Sequence, residues 1–405
     1  MKKCLVINAG WEQSRLIQLL VDQGHEVYCV HDQSDYSAIA GVKEYLRIDY
    51  HDLAALSLWV EHFKPDAILS DQCDYSYFAT AFLCDRFNLR GPSVEQAQIA
   101  TNKYLQRLKG LQAGIRQPAF KLCSTLSEAK AAANDLKYPV IVKSIDNRGA
   151  FGVSRVTSVH EMAAAVQEAL VHAKSRLFLV EQLISGTQVI LDGYCFQDVG
   201  HKTLAVGSKV MMAGIDHLAD DIIYPADLAE NLIQVLIENN QSVIEKLAYK
   251  FGMTSAEYIV DHEGQPWLIE AANRGGGVCI ASTIVPLVSG IDVTQQLICD
   301  ALSMEGKFNQ SEPARTASAY LKYLVFNPGQ VASVEGIELA ASLAGIEKIY
   351  CTIPKDGKVN APTNAGGRQG MVIASGRSVE ELKETMRRAF ELIQVNYEDC
   401  VHERA

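Results

Sequence analysis

The chain has 405 residues, with 37 Lys and Arg against 48 Asp and Glu for a net charge of −11, and 48% hydrophobic residues. At roughly 150 residues per domain this length predicts two or three domains, with interior enough to fold without a disulfide or metal staple. The acidic balance offers no basic stripe for nucleic acid and argues against an anionic membrane surface as partner.

In chain order, KCLVINAG reads as a short buried strand and EQSRLIQLLVDQG as a helix ending at a C-cap, Gly24. EVYCV is a second strand, and PDAILS, after a helix from Asp52 to Phe63, a later one. Such alternation predicts a doubly wound parallel sheet. The loop Asn8-Ala9-Gly10-Trp11 has one glycine where G-x-G-x-x-G needs three, and reads as an ordinary strand-to-helix turn. A helix is expected from Val94, capped by Ser93, to Leu111. The middle runs through YPVIVKS, helical HEMAAAVQEALVHA, LFLVEQL and VILDGYCF, then a helix from about Ala229 to Phe251 and the strands SAEYIVD and PWLIEAA. From about Glu312 the pattern becomes TASAYLKYLVF, GIEKIYCTI, GMVIASG and a closing helix VEELKETMRRAFELIQV, an α+β appendage.

None of the ten cysteines stands in a C-x-x-C relation, which removes the usual zinc and redox signatures. Cys4 and Cys29 sit in apolar runs, where a thiol acts as a small hydrophobe. Met-Lys-Lys leads directly into a strand-like run with no signal-peptide pattern. The longest apolar stretch, Val278 to Ile291, is broken by Pro286 and too short to span a bilayer. These features predict a cytoplasmic protein.

The most informative chemistry lies around His262-Glu263-Gly264-Gln265, a turn that should join its flanking strands as a hairpin. A loop centred there pairs Asp261 with Pro266, Ile259 with Leu268 and Glu257 with Glu270. Like charges directly opposite are destabilising unless a cation lies between them, and carboxylate ligation with room for waters and phosphates suits Mg²⁺. A one-residue slip, or a solvent-facing glutamate, is the alternative. In YPVIVKS a lysine, Lys143, closes an apolar strand, and DNRGAFG follows, a loop whose Gly149 and Gly152 can turn N–H groups toward phosphate. It is not a P-loop, since G-x-x-x-x-G-K-[ST] is absent. In LFLVEQLISGTQ, Glu181, Gln182 and Leu183 expose a strand break where a flat heterocycle could pair. Arg274, on the run before Gly275-Gly276-Gly277, stands four residues after Glu270 and suits charge neutralisation on a transferring phosphoryl group.

Taken together and in this order, these features resemble the ATP-grasp carboxylate–amine ligases over nearly the whole chain, with the E-A-A-x-R variant and C-terminal lobe similar to the amino-acid ligase branch. The resemblance implies ATP and Mg²⁺, with Mn²⁺ as an alternative metal. It places Lys103 and Lys143 on the nucleotide, with Lys143 and Arg274 catalytic, and Gly149 and Gly152 in a lid over the phosphates. It sets Glu181, Gln182 and Leu183 at the adenine, and Glu257 and Glu270 on the metal. Two positions depart from the family: Gln188 replaces the usual ribose glutamate, and Ala272 replaces the asparagine of E-x-N-x-R, leaving Asn273 one residue late and on the opposite strand face. The implied division is an N-terminal α/β domain over 1–95, an ATP-grasp domain over 96–310 with its lid at about 120–185, and a C-terminal α+β lobe over 311–405. The implied reaction joins a carboxylate to an amine through an acyl phosphate, releasing ADP and phosphate.

Between hinge and metal strands, AVGSKVMMAGIDHLADDIIYPADL carries Lys209, His217, Asp220 and Asp221, and AGGRQG presents Arg368, whose fork suits a carboxylate. An acidic pair near a cationic clamp complements a zwitterion, so His217, Asp220 and Arg368 are expected at an amino-acid substrate. The expected partners are a small carboxylate and an amine, neither nucleic acid nor membrane, with a homodimer compatible. The rivals are a purine-pathway or biotin-carboxylase-like enzyme, and a non-catalytic nucleotide-binding protein. No biotinyl-lysine motif is visible, and Asp71, Asp74 and Asp85 make the N-terminal stretch acidic where a ribonucleotide would want cations.

Overall fold

The computed structural model describes residues 1–31, 39–304 and 317–398. The expected boundary near residue 310 and the start of the C-terminal segment at Glu312 lie outside the described residues. The described chain divides into two compact units, neither continuous in sequence. One takes Met1–Phe120, Ile184–Val206 and the chain from Leu228 to 304; the other takes Lys121–Leu183, Gly207–Asp227 and 317–398.

The first unit opens with β1 (Lys3–Ile7), α1 (Ser14–Asp22), β2 (Glu26–Val30), β3 (Glu44–Leu46), α2 (Leu53–Phe63), β4 (Ala67–Leu69) and α3 (Asp74–Phe87). The four strands form a parallel sheet in the order β3-β2-β1-β4. Cys4, Leu5, Val6 and Ile7 are fully buried, the mark of a central strand covered on both faces. The loop after β1 is a turn leading through a short helix, Trp11–Gln13, into α1. The short edge strand β3 was not expected, because three residues carry too little pattern to read.

The helix expected from Val94 to Leu111 is two helices, α4 (Val94–Thr101) and α5 (Lys103–Gln112). Asn102 breaks the run in extended geometry, and its side chain accepts from the backbone N–H of Tyr104 and Leu105 to cap α5. Lys103 thus begins a helix rather than lying inside one. In the same unit, Gly252–Val260 pairs antiparallel with Thr187–Phe196 on one side and Pro266–Ala272 on the other. The preceding helix ends at Lys246, earlier than Phe251, where Ala248 turns to positive φ.

Apart from Phe120, the first residue of its first strand, the second unit contains a four-stranded sheet in the order Phe120–Cys123, Phe178–Gln182, Val140–Ser144, Val153–Val156. Its core joins Val140, Val142, Phe178 and Val180 to alanines of the helices Leu126–Leu136 and Met162–His172. An antiparallel run places Ile215–Tyr224 beside Ser318–Leu324, which pairs with Gly370–Gly376 and it in turn with Ile346–Cys351. Leu382, Met386 and Ala389 of the closing helix pack against Tyr320, Val372 and Ala374. That helix stops at Leu392 rather than Val395; Ile393 turns extended and Gln394–Tyr397 becomes a strand beside Gly329–Glu335. An α/β start and an α+β end are therefore both present. Among the described residues, no helix is long and apolar enough to cross a membrane.

Candidate active site

Within the first unit, Glu257 and Glu270 are direct partners across the antiparallel pair. The outer part of the hairpin differs from expectation: Tyr258 faces Leu268, Ile259 faces Trp267 and Val260 faces Pro266. The pairs Asp261–Pro266 and Ile259–Leu268 are thus corrected. Ile269 is an extra residue, a bulge that shifts the outer register by one and leaves the glutamates opposed. The bulge has an identifiable support, because the buried Arg107 donates from Nη2 to the Ile269 carbonyl at 2.7 Å.

One face of α5 lines up Lys103, Gln106 and Arg107, spaced i, i+3, i+4. Gln106 donates to the Ala271 carbonyl at 2.6 Å and accepts from the Ala271 N–H at 3.0 Å. Lys103 Nζ lies 3.0 Å from Glu270 Oε1. The helix therefore grips three successive residues, Ile269, Glu270 and Ala271. Neither Gln106 nor Arg107 was singled out from sequence, although their spacing from Lys103 is the signal that could have found them.

Arg274 lies just past the same strand, and its Nε and Nη2 donate to the two carboxylate oxygens of Asp74, each at 2.8 Å. Nη1 donates to the Gly275 carbonyl at 2.8 Å. Burial alone would lower the pKa of the guanidinium, but the charge and hydrogen bonds of Asp74 outweigh it and raise it. Asn273 points the other way, buried, with Nδ2 donating to the Phe251 and Met253 carbonyls. The glycines that follow are required by close approach. A Cβ on Gly275 would stand 2.6 Å from Asp71 Oδ1 and 2.4 Å from the Ala281 Cβ, and one on Gly276 would stand 2.7 Å from Asp192 Oδ1.

Among the described residues, no group of three or more His, Cys, Asp or Glu side chains could hold a metal ion. Two opposed carboxylates nonetheless fit Mg²⁺, which keeps waters and takes phosphate oxygens as its remaining ligands. Gln188, on Thr187–Phe196, pairs with Ile259 in this unit.

Within the second unit, Lys143 Nζ lies 2.8 Å from Glu181 Oε2, and the two side chains are 6% and 3% exposed. They sit on neighbouring strands, with Ile141 opposite Glu181 and Lys143 opposite Leu179, so they meet diagonally. Gln182 ends the Glu181 strand and Leu183 follows it. Directly after Lys143, Ser144 donates from its hydroxyl to the Phe151 carbonyl and from its N–H to the Gly152 carbonyl. Gly149, Ala150 and Gly152 all take positive φ, and the Phe151 and Val153 N–H groups donate to the Arg148 and Ala150 carbonyls, so the loop is a run of tight turns. Ala365 N–H donates to the Gly149 carbonyl at 2.9 Å, and the Phe151 ring lies edge-on to His172.

The substrate candidates lie in this unit too. His217 Nε2 is 3.2 Å from the Thr363 carbonyl, and the Arg368 guanidinium stacks 3.6 Å over the Tyr323 ring. Asp220 and Asp221 share a cation that the sequence reading did not name: Lys322 Nζ lies 2.9 Å from Asp220 and 2.7 Å from Asp221, and Tyr320 donates to Asp221. Lys209 is opposite Ile222 on the adjoining strand.

The ATP-grasp domain matches residues 136–282, and the L-amino acid ligase C-terminal domain 2 matches residues 322–398. An L-amino acid ligase from Bacillus licheniformis has the same fold, with a TM-score of 0.86 at 20% identity, covering 98% of this chain and 99% of that one. An uncharacterized protein of Sinorhizobium fredii, y4rH, is 23% identical over 379 residues, 91% of this chain and 77% of its own length. A D-alanine–D-alanine ligase of Gloeobacter violaceus is 26% identical over 219 residues, 51% of this chain and 69% of its own length. With one domain matched around the glycine loop and glutamate pair and the other over the C-terminal segment, the chain carries an ATP-grasp domain and an L-amino acid ligase C-terminal domain 2.

Proposed function

We propose that this protein is an ATP-dependent, ADP-forming ligase that joins an amino-acid carboxylate to an amine through an acyl phosphate. The observation that carries the reading is the register that opposes Glu257 and Glu270, with Lys103 on Glu270 and Arg274 four residues further on. The L-amino acid ligase C-terminal match supports the amino-acid branch over the purine-pathway and biotin-carboxylase alternatives. The proposed division is an N-terminal domain to about residue 95, an ATP-grasp domain with lid to about 310 and a C-terminal lobe beyond.

In the proposed reaction a substrate carboxylate oxygen attacks the γ-phosphorus of ATP, and ADP leaves. The amine nitrogen then attacks the acyl carbon, phosphate leaves with the former carboxylate oxygen, and the nitrogen sheds its proton. Nothing in this sequence needs a covalent enzyme intermediate, so the chain's work is positioning and charge neutralisation. Lys103 and Lys143 hold phosphate oxygens, and the backbone at Gly149 and Gly152 turns N–H groups toward them. Glu181, Gln182 and Leu183 meet the adenine, and Gln188 hydrogen-bonds a ribose hydroxyl. Arg274 and Lys143 neutralise the charge that builds on the transferring phosphoryl group. Glu257 and Glu270 would hold Mg²⁺ or Mn²⁺, which when bound supplies neutralisation of phosphate charge. His217, Asp220 and Arg368 are assigned to the amino-acid substrate, with Arg368 gripping its carboxylate.

Screening amino acids singly and in pairs for ATP-dependent phosphate release tests the reading, with Arg368→Ala as a control that should lose the response. Stimulation by bicarbonate or a phosphoribosyl amine, and by no amino acid, would replace it with the purine-type alternative.

A further inference from the structure

Beside Arg274, inside the first unit, lies a cavity of about 20 Å³ lined by Asp71, Tyr77, Thr80, Asn273, Arg274 and Gly275 among others. Four of these side chains are at least nine-tenths buried: Asp71 at 2%, Tyr77 at 6%, Thr80 at 3% and Asn273 at 1% exposure. Each carries an oxygen with no hydrogen-bond partner among the described residues: Asp71 Oδ1, Tyr77 Oη, Thr80 Oγ1 and Asn273 Oδ1. Their other polar atoms are committed. Asp71 Oδ2 accepts from Gln72 Nε2, and Asn273 Nδ2 donates to two backbone carbonyls, which fixes its amide orientation.

The inventory of these four oxygens selects the occupant. Asp71 Oδ1 and Asn273 Oδ1 can only accept, while the Tyr77 and Thr80 hydroxyls can each donate. Two acceptors and two donors match the two hydrogens and two lone pairs of one water molecule. The volume agrees, since a single water needs roughly 10–15 Å³ of such space. A bare cation would be served by four oxygens, but it would turn both hydroxyl protons away from the two acceptors, Asp71 Oδ1 and Asn273 Oδ1. Burial pushes the Asp71 carboxyl up to about 6, below neutral pH, so it is ionised and accepting under ordinary conditions.

We propose that this cavity is the binding site of one structural water. It donates to Asp71 and Asn273 and accepts from Tyr77 and Thr80, and so ties α3 to the backbone that carries Arg274. Tyr77 lies one turn after Asp74, which holds the Arg274 guanidinium, so the water and the ion pair fix the arginine from the same helix. Tyr77 and Thr80 then act as positioning residues for Arg274; this second part rests on the ligase reading, whereas the water site does not.

The test has two arms. A crystal structure of the full chain at about 1.5 Å, grown once with sodium and once with rubidium, should show one peak with four oxygen neighbours at roughly 2.6–3.2 Å and no rubidium anomalous signal. A rubidium peak there would overturn the water assignment in favour of a monovalent cation, and four oxygens without a central peak would overturn the site. In the kinetic arm, Thr80→Val removes a donor at nearly constant shape. It should lower kcat about tenfold with the KM for ATP within about twofold, and Thr80→Ser should restore it. Tyr77→Phe serves the same purpose if the valine variant does not fold. Unchanged kcat in a variant whose crystal has lost the water would overturn the positioning role. Wild-type protein that turns over no amino acid would instead refute the ligase reading and leave the crystallographic result standing.

Discussion

Asp74 and Arg274 form a two-pronged ion pair, Nε to Oδ1 and Nη2 to Oδ2, each at 2.8 Å, between side chains 17% and 19% exposed. A fork-to-fork pair fixes the plane of the guanidinium as well as its position. It joins the first turn of α3 to the strand end that carries Glu270, so α3 takes part in placing the arginine that the proposed mechanism uses.

Removing one partner of such a pair leaves an uncompensated charge in a poorly hydrated place. Asp74→Ala should therefore destabilise the protein by about 3 kcal/mol in urea titration, with Asp74→Asn costing less. A loss under about 0.5 kcal/mol would mean that the pair is no stronger than an exposed surface bridge.

The opposed glutamates make a separate prediction. Glu257→Gln and Glu270→Gln should each abolish Mg²⁺-dependent turnover while the far-ultraviolet circular dichroism stays native. If both variants kept turnover within about threefold of wild type, less than 1 kcal/mol of barrier, these carboxylates would not be the metal ligands.

Much of this arrangement was legible in the sequence. The glycine turn before Pro266 set Glu257 against Glu270, and the apolar run of YPVIVKS put Lys143 on a buried strand. What the sequence concealed was set by distant partners or by single residues. Asn102 caps α5 from inside what reads as one helix, because a side chain that accepts two N–H groups outweighs the periodicity around it. The Ile269 bulge depends on Arg107, 162 positions away, and the Asp74–Arg274 pair spans 200 positions. Pattern within a short window carries no record of such pairings. Lys322 escaped notice for the same reason, being read only as part of a strand.

The Lys143–Glu181 pair separates stability from activity. Glu181→Gln or Lys143→Met alone strands a buried charge and should cost about 3–5 kcal/mol, while Lys143→Met with Glu181→Leu should recover most of that loss. The double variant should remain inactive, because the proposed mechanism needs the lysine for phosphate. Thermal unfolding together with phosphate release reads both; a stable, active double variant would remove Lys143 from the mechanism.

His201 gives a pH dependence. It is 2% exposed, with Nε2 2.8 Å from Thr254 Oγ1, and burial lowers its pKa from 6.5 to about 4. The unfolded chain therefore binds more protons than the folded one between these values. Its contribution to stability is present above pH 6.5 and is lost as pH falls through about 4, by up to about 3 kcal/mol. Urea titrations from pH 7 to pH 4 should show a shallower decline in His201→Gln than in wild type; parallel curves would show that His201 titrates normally.

The central claim is that ATP activates a substrate carboxylate as an acyl phosphate. The most direct measurement follows an amino acid labelled with ¹⁸O in its carboxylate, together with an acceptor amine, by mass spectrometry of the released nucleotide and phosphate. The account predicts ADP and phosphate carrying one ¹⁸O atom for each amide formed. Label in AMP with unlabelled pyrophosphate, or phosphate without label, would contradict it.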